Sequence, residues 1–152
     1  MIIYGESPHR ISLMGGGTDV APYCNLFGGA CLSLAINLKQ RMWINTEMGD
    51  KEFIIPDGAD IKFYNRIFDY FDFWPKSFKA ECDAVITGGL GSSASAAVLL
   101  VGIINKKMGL GLIKDEIAKT AWEIEIPFNF GGRQDQWAAA MGGVNLFEFT
   151  DK

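Results

Sequence analysis

The chain has 152 residues, 49% of them hydrophobic and 21% charged, with a formal net charge of −4. This composition excludes a disordered segment and suits one packed domain spanning residues 1–152. The negative balance excludes the broad basic surface that nucleic acid or an anionic membrane selects, so a bound phosphate has to be held locally.

The first six residues, Met1-Ile2-Ile3-Tyr4-Gly5-Glu6, lack the basic-then-apolar order of a signal peptide. Residues 10–14 and 30–38 are expected as strands. Residues 41–48 alternate, with Met42, Ile44 and Thr46 against Trp43, Asn45 and Glu47, and are expected as a further strand. Residues 51–55 extend it as a hairpin through Gly49-Asp50. A helical period (Ile61, Tyr64, Ile67, Phe68, Phe71) marks a helix over 60–73 whose aromatic stripe belongs to the core. A short strand over 84–87 leads into a glycine turn. Beyond it a helix is expected over 93–108, with Lys106 and Lys107 in its last turn and Gly109 after it. Helices over 114–125 and 134–141 and a closing strand over 144–149 complete the order. Strands and helices mix without a βαβ repeat, so the expected class is α+β.

Three cysteines (Cys24, Cys31, Cys82) and one histidine (His9) are scattered and form no Cys-x-x-Cys pair. That spacing favours reduced thiols over a zinc site, and with them a reducing, cytoplasmic compartment. The longest largely apolar stretch, residues 94–104, is too short to span a bilayer.

The 18 glycines cluster, and the cluster with the clearest chemistry is Thr87-Gly88-Gly89-Leu90-Gly91-Ser92-Ser93-Ala94-Ser95. Glycines ahead of a helix let the backbone wrap an anion, and the helix offers unpaired N–H groups and its positive dipole end. Serine hydroxyls there can bond phosphate or a hard cation, and Ser92 or Ser93 can instead cap the helix. No lysine stands where a Walker A loop needs one, and the spacing is not the Rossmann G-x-G-x-x-G.

The segment Gly89-Leu90-Gly91-Ser92-Ser93-Ala94 resembles the phosphate-binding signature of the GHMP kinases. Two further motifs resemble that family in the same order. These are Ser7-Pro8-His9-Arg10 with Met14-Gly15-Gly16-Gly17-Thr18-Asp19, and Gly131-Gly132-Arg133-Gln134-Asp135-Gln136. The pairing of the Gly-Gly-Gly-Thr-Asp and Gln-Asp-Gln segments is most similar to the D-glycero-D-manno-heptose 7-phosphate kinases. The resemblance implies a ribosomal protein S5 domain 2-like N-terminal domain, ordinarily followed by a ferredoxin-like C-terminal domain that this sequence lacks.

The resemblance also implies transfer of the γ-phosphate of ATP, with Mg2+, to a sugar or sugar-phosphate hydroxyl, the anomeric hydroxyl of a heptose 7-phosphate in the first instance. It implies that Asp135 takes the acceptor's proton and that Arg10 lies beside it. Gly88, Gly89, Leu90, Gly91, Ser92, Ser93 and Ala94 are the implied phosphate loop. Gly17, Thr18 and Asp19 are the implied sugar contacts. Ser93 and Glu123 are the implied Mg2+ ligands, Glu123 being chosen over Glu125 on spacing alone. The parts match what phosphoryl transfer requires, which is positioning and charge neutralisation. Thr87-Gly88 departs from the proline-rich approach usual in the family. The absent half implies either a catalytically incomplete binding domain that needs a partner half, or self-association through an uncovered apolar face.

Overall fold

The computed structural model describes residues 1–47, 51–86, 88–127 and 131–150. Strand β1 (Ile2–Met14) is followed by a short helix α1 (Tyr23–Phe27) and by the long strand β2 (Gly29–Asn45). Then come β3 (Glu52–Ile54), α2 (Ile61–Tyr70) and β4 (Ser77–Cys82). The remainder is α3 (Ser92–Met108), α4 (Lys114–Glu125), α5 (Gln134–Met141) and β5 (Val144–Phe149). The expected α+β class is what forms.

Strand β2 is the spine of a five-stranded sheet. Antiparallel β1 covers one of its edges, with Ile2 opposite Asn45 and Met14 opposite Leu32. On its other edge β4 pairs with residues 40–45 and β5 with residues 29–34, both antiparallel. The two strands expected over 30–38 and 41–48 are therefore one. The polar run Lys39-Gln40-Arg41 does not break the strand, because Gln40 turns inward, 1% exposed, while its neighbours face outward.

The hairpin expected between residues 41–48 and 51–55 does not form. Its turn at Gly49-Asp50 lies outside the described residues, and β3 pairs in parallel with β4 instead. A parallel pair needs a crossover, and α2 supplies it. Strand β4 was not expected, although its alternation of buried Phe78 and Ala80 with Lys79 and Glu81 carries the period-two signal. The strand expected over 84–87 is a bend and turn in its described part.

Helices α2, α3, α4 and α5 pack on one face of the sheet. Met42 and Ile44 of β2, Phe78 of β4 and Phe68 of α2 close on Leu100 and Ile104 of α3, all at most 1% exposed. Ten of the residues of α3 are buried, so it is the central helix of the domain. Its alanines 94, 96 and 97 let neighbouring elements approach closely. Among the described residues no helix is long and apolar enough to cross a membrane.

Candidate functional site

The sheet ends and helix starts that meet near α3 build the site. Gly91 occupies the cap position of α3 in the left-handed region, at φ 72°, and no side chain caps the helix. The serine cap that the sequence allowed is therefore not used. The first helical bond runs from the Ser95 N–H to the Gly91 carbonyl at 2.9 Å. The N–H groups of Ser92, Ser93 and Ala94 precede it and carry the positive end of the helix dipole. Helix α3 is pinned in depth: the Ser95 hydroxyl donates to the Ser7 carbonyl (3.3 Å), and the Ser7 hydroxyl donates to the Ala139 carbonyl of α5 (3.4 Å).

Arg10 of β1 ties this loop to α5. Its backbone N–H donates to the Leu90 carbonyl (3.2 Å), and its Nη1 donates to the Gly89 carbonyl (2.7 Å). Its Nε donates to Asp135 Oδ1 (2.7 Å), with the two side chains 12% and 28% exposed. Asp135 lies in the first turn of α5, where a negative charge suits the helix dipole. One guanidinium thus fixes the glycine loop and the carboxylate relative to each other.

A second carboxylate stands beside them. Glu125, 7% exposed at the end of α4, accepts a hydrogen bond from Gln136 Nε2 at 2.7 Å and lies near Ser93. Burial holds its carboxyl above the usual range, opposed by Gln136 and Ser93, and the neighbouring charge of Asp135 adds to the rise. Glu123 is elsewhere. It faces solvent and lies 3.9 Å from Lys119. Two residues along a helix turn the side chain by about 200°, so only one of the two glutamates can face α3. The structure joins Arg10 to Asp135 and to the loop ahead of Ser93, and it is Glu125, not Glu123, that lies buried near Ser93 and Asp135. Gln136, quoted in the sequence motif without a role, is the hydrogen-bond partner of the buried Glu125.

A buried carboxylate and a nearby hydroxyl are hard oxygen donors of the kind that fit Mg2+. Beyond the loop, a groove of ≈ 980 Å³ runs between residues 54–58 and 79–86. Its floor is held by Asp83, which takes both Nη atoms of Arg41 (2.6 and 3.0 Å) and the Lys39 N–H (3.0 Å). His9 is fully buried on β1, 3.5 Å from the Cys82 thiol, and burial lowers its pKa.

The triple-glycine turn lies at the start of α5, where Asp19 accepts the Gln134 N–H at 2.9 Å. The Thr18 hydroxyl donates to the Gly15 carbonyl (2.8 Å) and accepts the Ala30 N–H (3.1 Å), locking the turn to β2. Burial first and the Asp19 charge second push the Cys31 thiol up to about 11, so it stays neutral and donates to the Gly15 carbonyl (3.0 Å). Gly17 is exposed, whereas Asp19 is 2% exposed.

Residues 57–143 match the N-terminal domain of the GHMP kinases. The chain is 34% identical to D-glycero-alpha-D-manno-heptose 7-phosphate kinase of Campylobacter jejuni, over 95% of this chain and 50% of that protein. The solved D-glycero-D-manno-heptose 1-phosphate kinase of Bacteroides thetaiotaomicron superposes with a TM-score of 0.84 at 30% identity, covering 99% of this chain and 56% of that one. The Methanococcus jannaschii mevalonate kinase shares the fold, with a TM-score of 0.75 at 20% identity. The chain thus spans about half the length of these relatives. With the capless glycine loop, the arginine–aspartate pair and the family match agreeing, the chain belongs to the GHMP kinases, a family of phosphotransferases, as their N-terminal domain.

Proposed function

We propose that this chain carries the ATP site of a sugar kinase, whose acceptor is the anomeric hydroxyl of a heptose 7-phosphate. The observation that carries the reading is Arg10, which bonds the uncapped glycine loop and Asp135 at once. The loop N–H groups of residues 88–94 take the ATP phosphates, and the groove beside the loop has room for the nucleoside. Asp135 accepts the proton of the acceptor hydroxyl as that oxygen bonds to the γ-phosphorus and ADP leaves. Arg10 orients Asp135 and offsets charge developing on the transferring group. Ser93 and Glu125 are the residues that would hold Mg2+, which when bound neutralises charge on the phosphate oxygens. Gly17 and its neighbours border the acceptor side. The heptose acceptor rests on the similarity to the Campylobacter and Bacteroides proteins. Three free thiols favour the cytoplasm.

A second reading follows from the half-length coverage. In it the chain binds nucleotide and sugar but turns over only with a partner half. One experiment addresses both. A sugar panel including heptose 7-phosphate is incubated with ATP and Mg2+, with the chain alone and with a supplied C-terminal half, and products are followed by phosphorus NMR. The kinase reading predicts a sugar 1-phosphate that disappears in Asp135→Asn. Turnover that survives Asp135→Asn contradicts it.

A further inference from the structure

Resting on the reading of this chain as a kinase of a heptose 7-phosphate, we propose that Arg133, with Lys119, holds the phosphate the acceptor already carries and so selects a sugar phosphate over the free sugar. Such an acceptor has two ends to place. One is the hydroxyl that receives the new phosphoryl group, and the other is the 7-phosphate at the far end of the carbon chain. Asp135 and the glycine turn serve the first. With a net charge of −4 on the chain, the second needs cations gathered in one place.

The start of α5 supplies one of them. Gly132 lies so close to Asp19 that a Cβ there would be 1.7 Å from Oδ2. The next residue, Arg133, turns toward α4, and its guanidinium carbon lies 4.8 Å from the centre of the Trp122 ring. Stacking of this kind engages the face of the guanidinium, whereas a phosphate is bound by its N–H edge. Beside Arg133 a pocket of ≈ 340 Å³ opens between α4, α5 and β5, within the ~300–1,000 Å³ of small-molecule sites. Lys119, one turn before Trp122, brings a second cation to it, and Trp122, Trp137 and Phe147 give it aromatic walls. The Trp137 indole is fixed in place by donating to Asp115 at 2.6 Å. Glu148 also lines the pocket, but it alternates along β5 with Phe147 and the buried Phe149, so its side chain points to the other face of the sheet. Lys119 is 62% exposed, with Glu123 3.9 Å away, a surface pair that a phosphate can displace.

The pocket adjoins the acceptor side. A smaller recess of ≈ 80 Å³ reaches Asp19 and shares Trp122 and Arg133 with it. Arg133 therefore stands between the glycine turn and a pocket whose walls suit the apolar faces of a carbon chain and whose cations suit a phosphate dianion.

The test measures acceptor preference in the chain supplied with its C-terminal half, comparing wild type, Arg133→Met and Lys119→Met. Each is given heptose 7-phosphate and the unphosphorylated heptose. Arg133→Met should raise the KM for heptose 7-phosphate by about tenfold or more, the scale of a lost hydrogen bond to a charged group. Its kcat, its KM for ATP and its KM for the unphosphorylated heptose should hold within about twofold, because those substrates lose no contact. Lys119→Met, a surface change that leaves folding intact, should raise the same KM by about threefold. Binding gives a readout independent of turnover. Trp122 and Trp137 line the pocket, so heptose 7-phosphate should change the tryptophan fluorescence of wild type at lower concentration than it does in either variant, and the unphosphorylated heptose should bind all three alike. A wild type that does not distinguish the two sugars, or an Arg133→Met that loses kcat equally with both, overturns the proposal. If wild type phosphorylates no acceptor, the kinase reading fails instead, and the fluorescence titration still decides whether Arg133 binds a sugar phosphate.

Discussion

Glu123 and Glu125 have the same side chain, sit two residues apart and have opposite environments. Glu123 is solvated and near Lys119, while Glu125 is buried against Gln136 and Ser93. Removing a buried charge that a cation would balance, and removing a solvated one, should therefore have different consequences. Glu125→Gln keeps the volume and the packing but loses the charge. Its ATP affinity in the presence of Mg2+ should fall at least about tenfold, ~1.4 kcal/mol, and its affinity in EDTA should change little. Glu123→Gln should leave both within ~0.5 kcal/mol, as for other surface changes. Calorimetric titration of the two variants, with and without Mg2+, checks this. The sequence alone could not separate them, because both lie near the end of one helix and the facing surface of α3 is set by tertiary packing.

At the scale of elements, long helices were legible and strand pairing was not. The helices over 93–108, 114–125 and 134–141 follow from apolar periodicity and glycine stops, and α3, α4 and α5 match those spans to within a residue. The strands failed where polarity misled. Lys39-Gln40 fell between the two expected strands, yet β2 runs through both, paired with Pro8 and Ser7 of β1. Strand β4 was overlooked because it is short and half charged, although its alternation is regular. Helix α1, five residues after Pro22, has no period long enough to detect. The candidate site was more legible than the sheet. Glycine loop, Arg10 and Asp135 are chemical signals in the chain itself, whereas the burial of Glu125 and its bond from Gln136 appear only when separate helices meet.

For the whole molecule, the face of the sheet away from the helices is the notable feature. Register puts Met14, Leu32 and Leu146 in one row and Ile11, Leu34 and Val144 in the next. Met14, Val144 and Leu146 are 69%, 67% and 64% exposed. A contiguous apolar face of this kind favours association. Sedimentation of the 152-residue chain should show species above the monomer, and Val144→Lys with Leu146→Lys should shift it to monomer; a wild-type chain that stays monomeric at high concentration contradicts this. The central claim is that the amino terminus of α3 holds the phosphates of ATP. Gly91 is the place to test it, because its φ of 72° is a backbone conformation that side chains rarely adopt, and a Cβ there would meet the Arg10 side chain at 3.4 Å. The measurement is a titration of ATP with Mg2+ into wild type and Gly91→Val, with far-UV circular dichroism on both. Saturable binding in wild type, lost in a Gly91→Val chain of unchanged helix content, is the predicted result. A folded Gly91→Val that binds ATP as tightly as wild type would contradict the assignment of the phosphate loop.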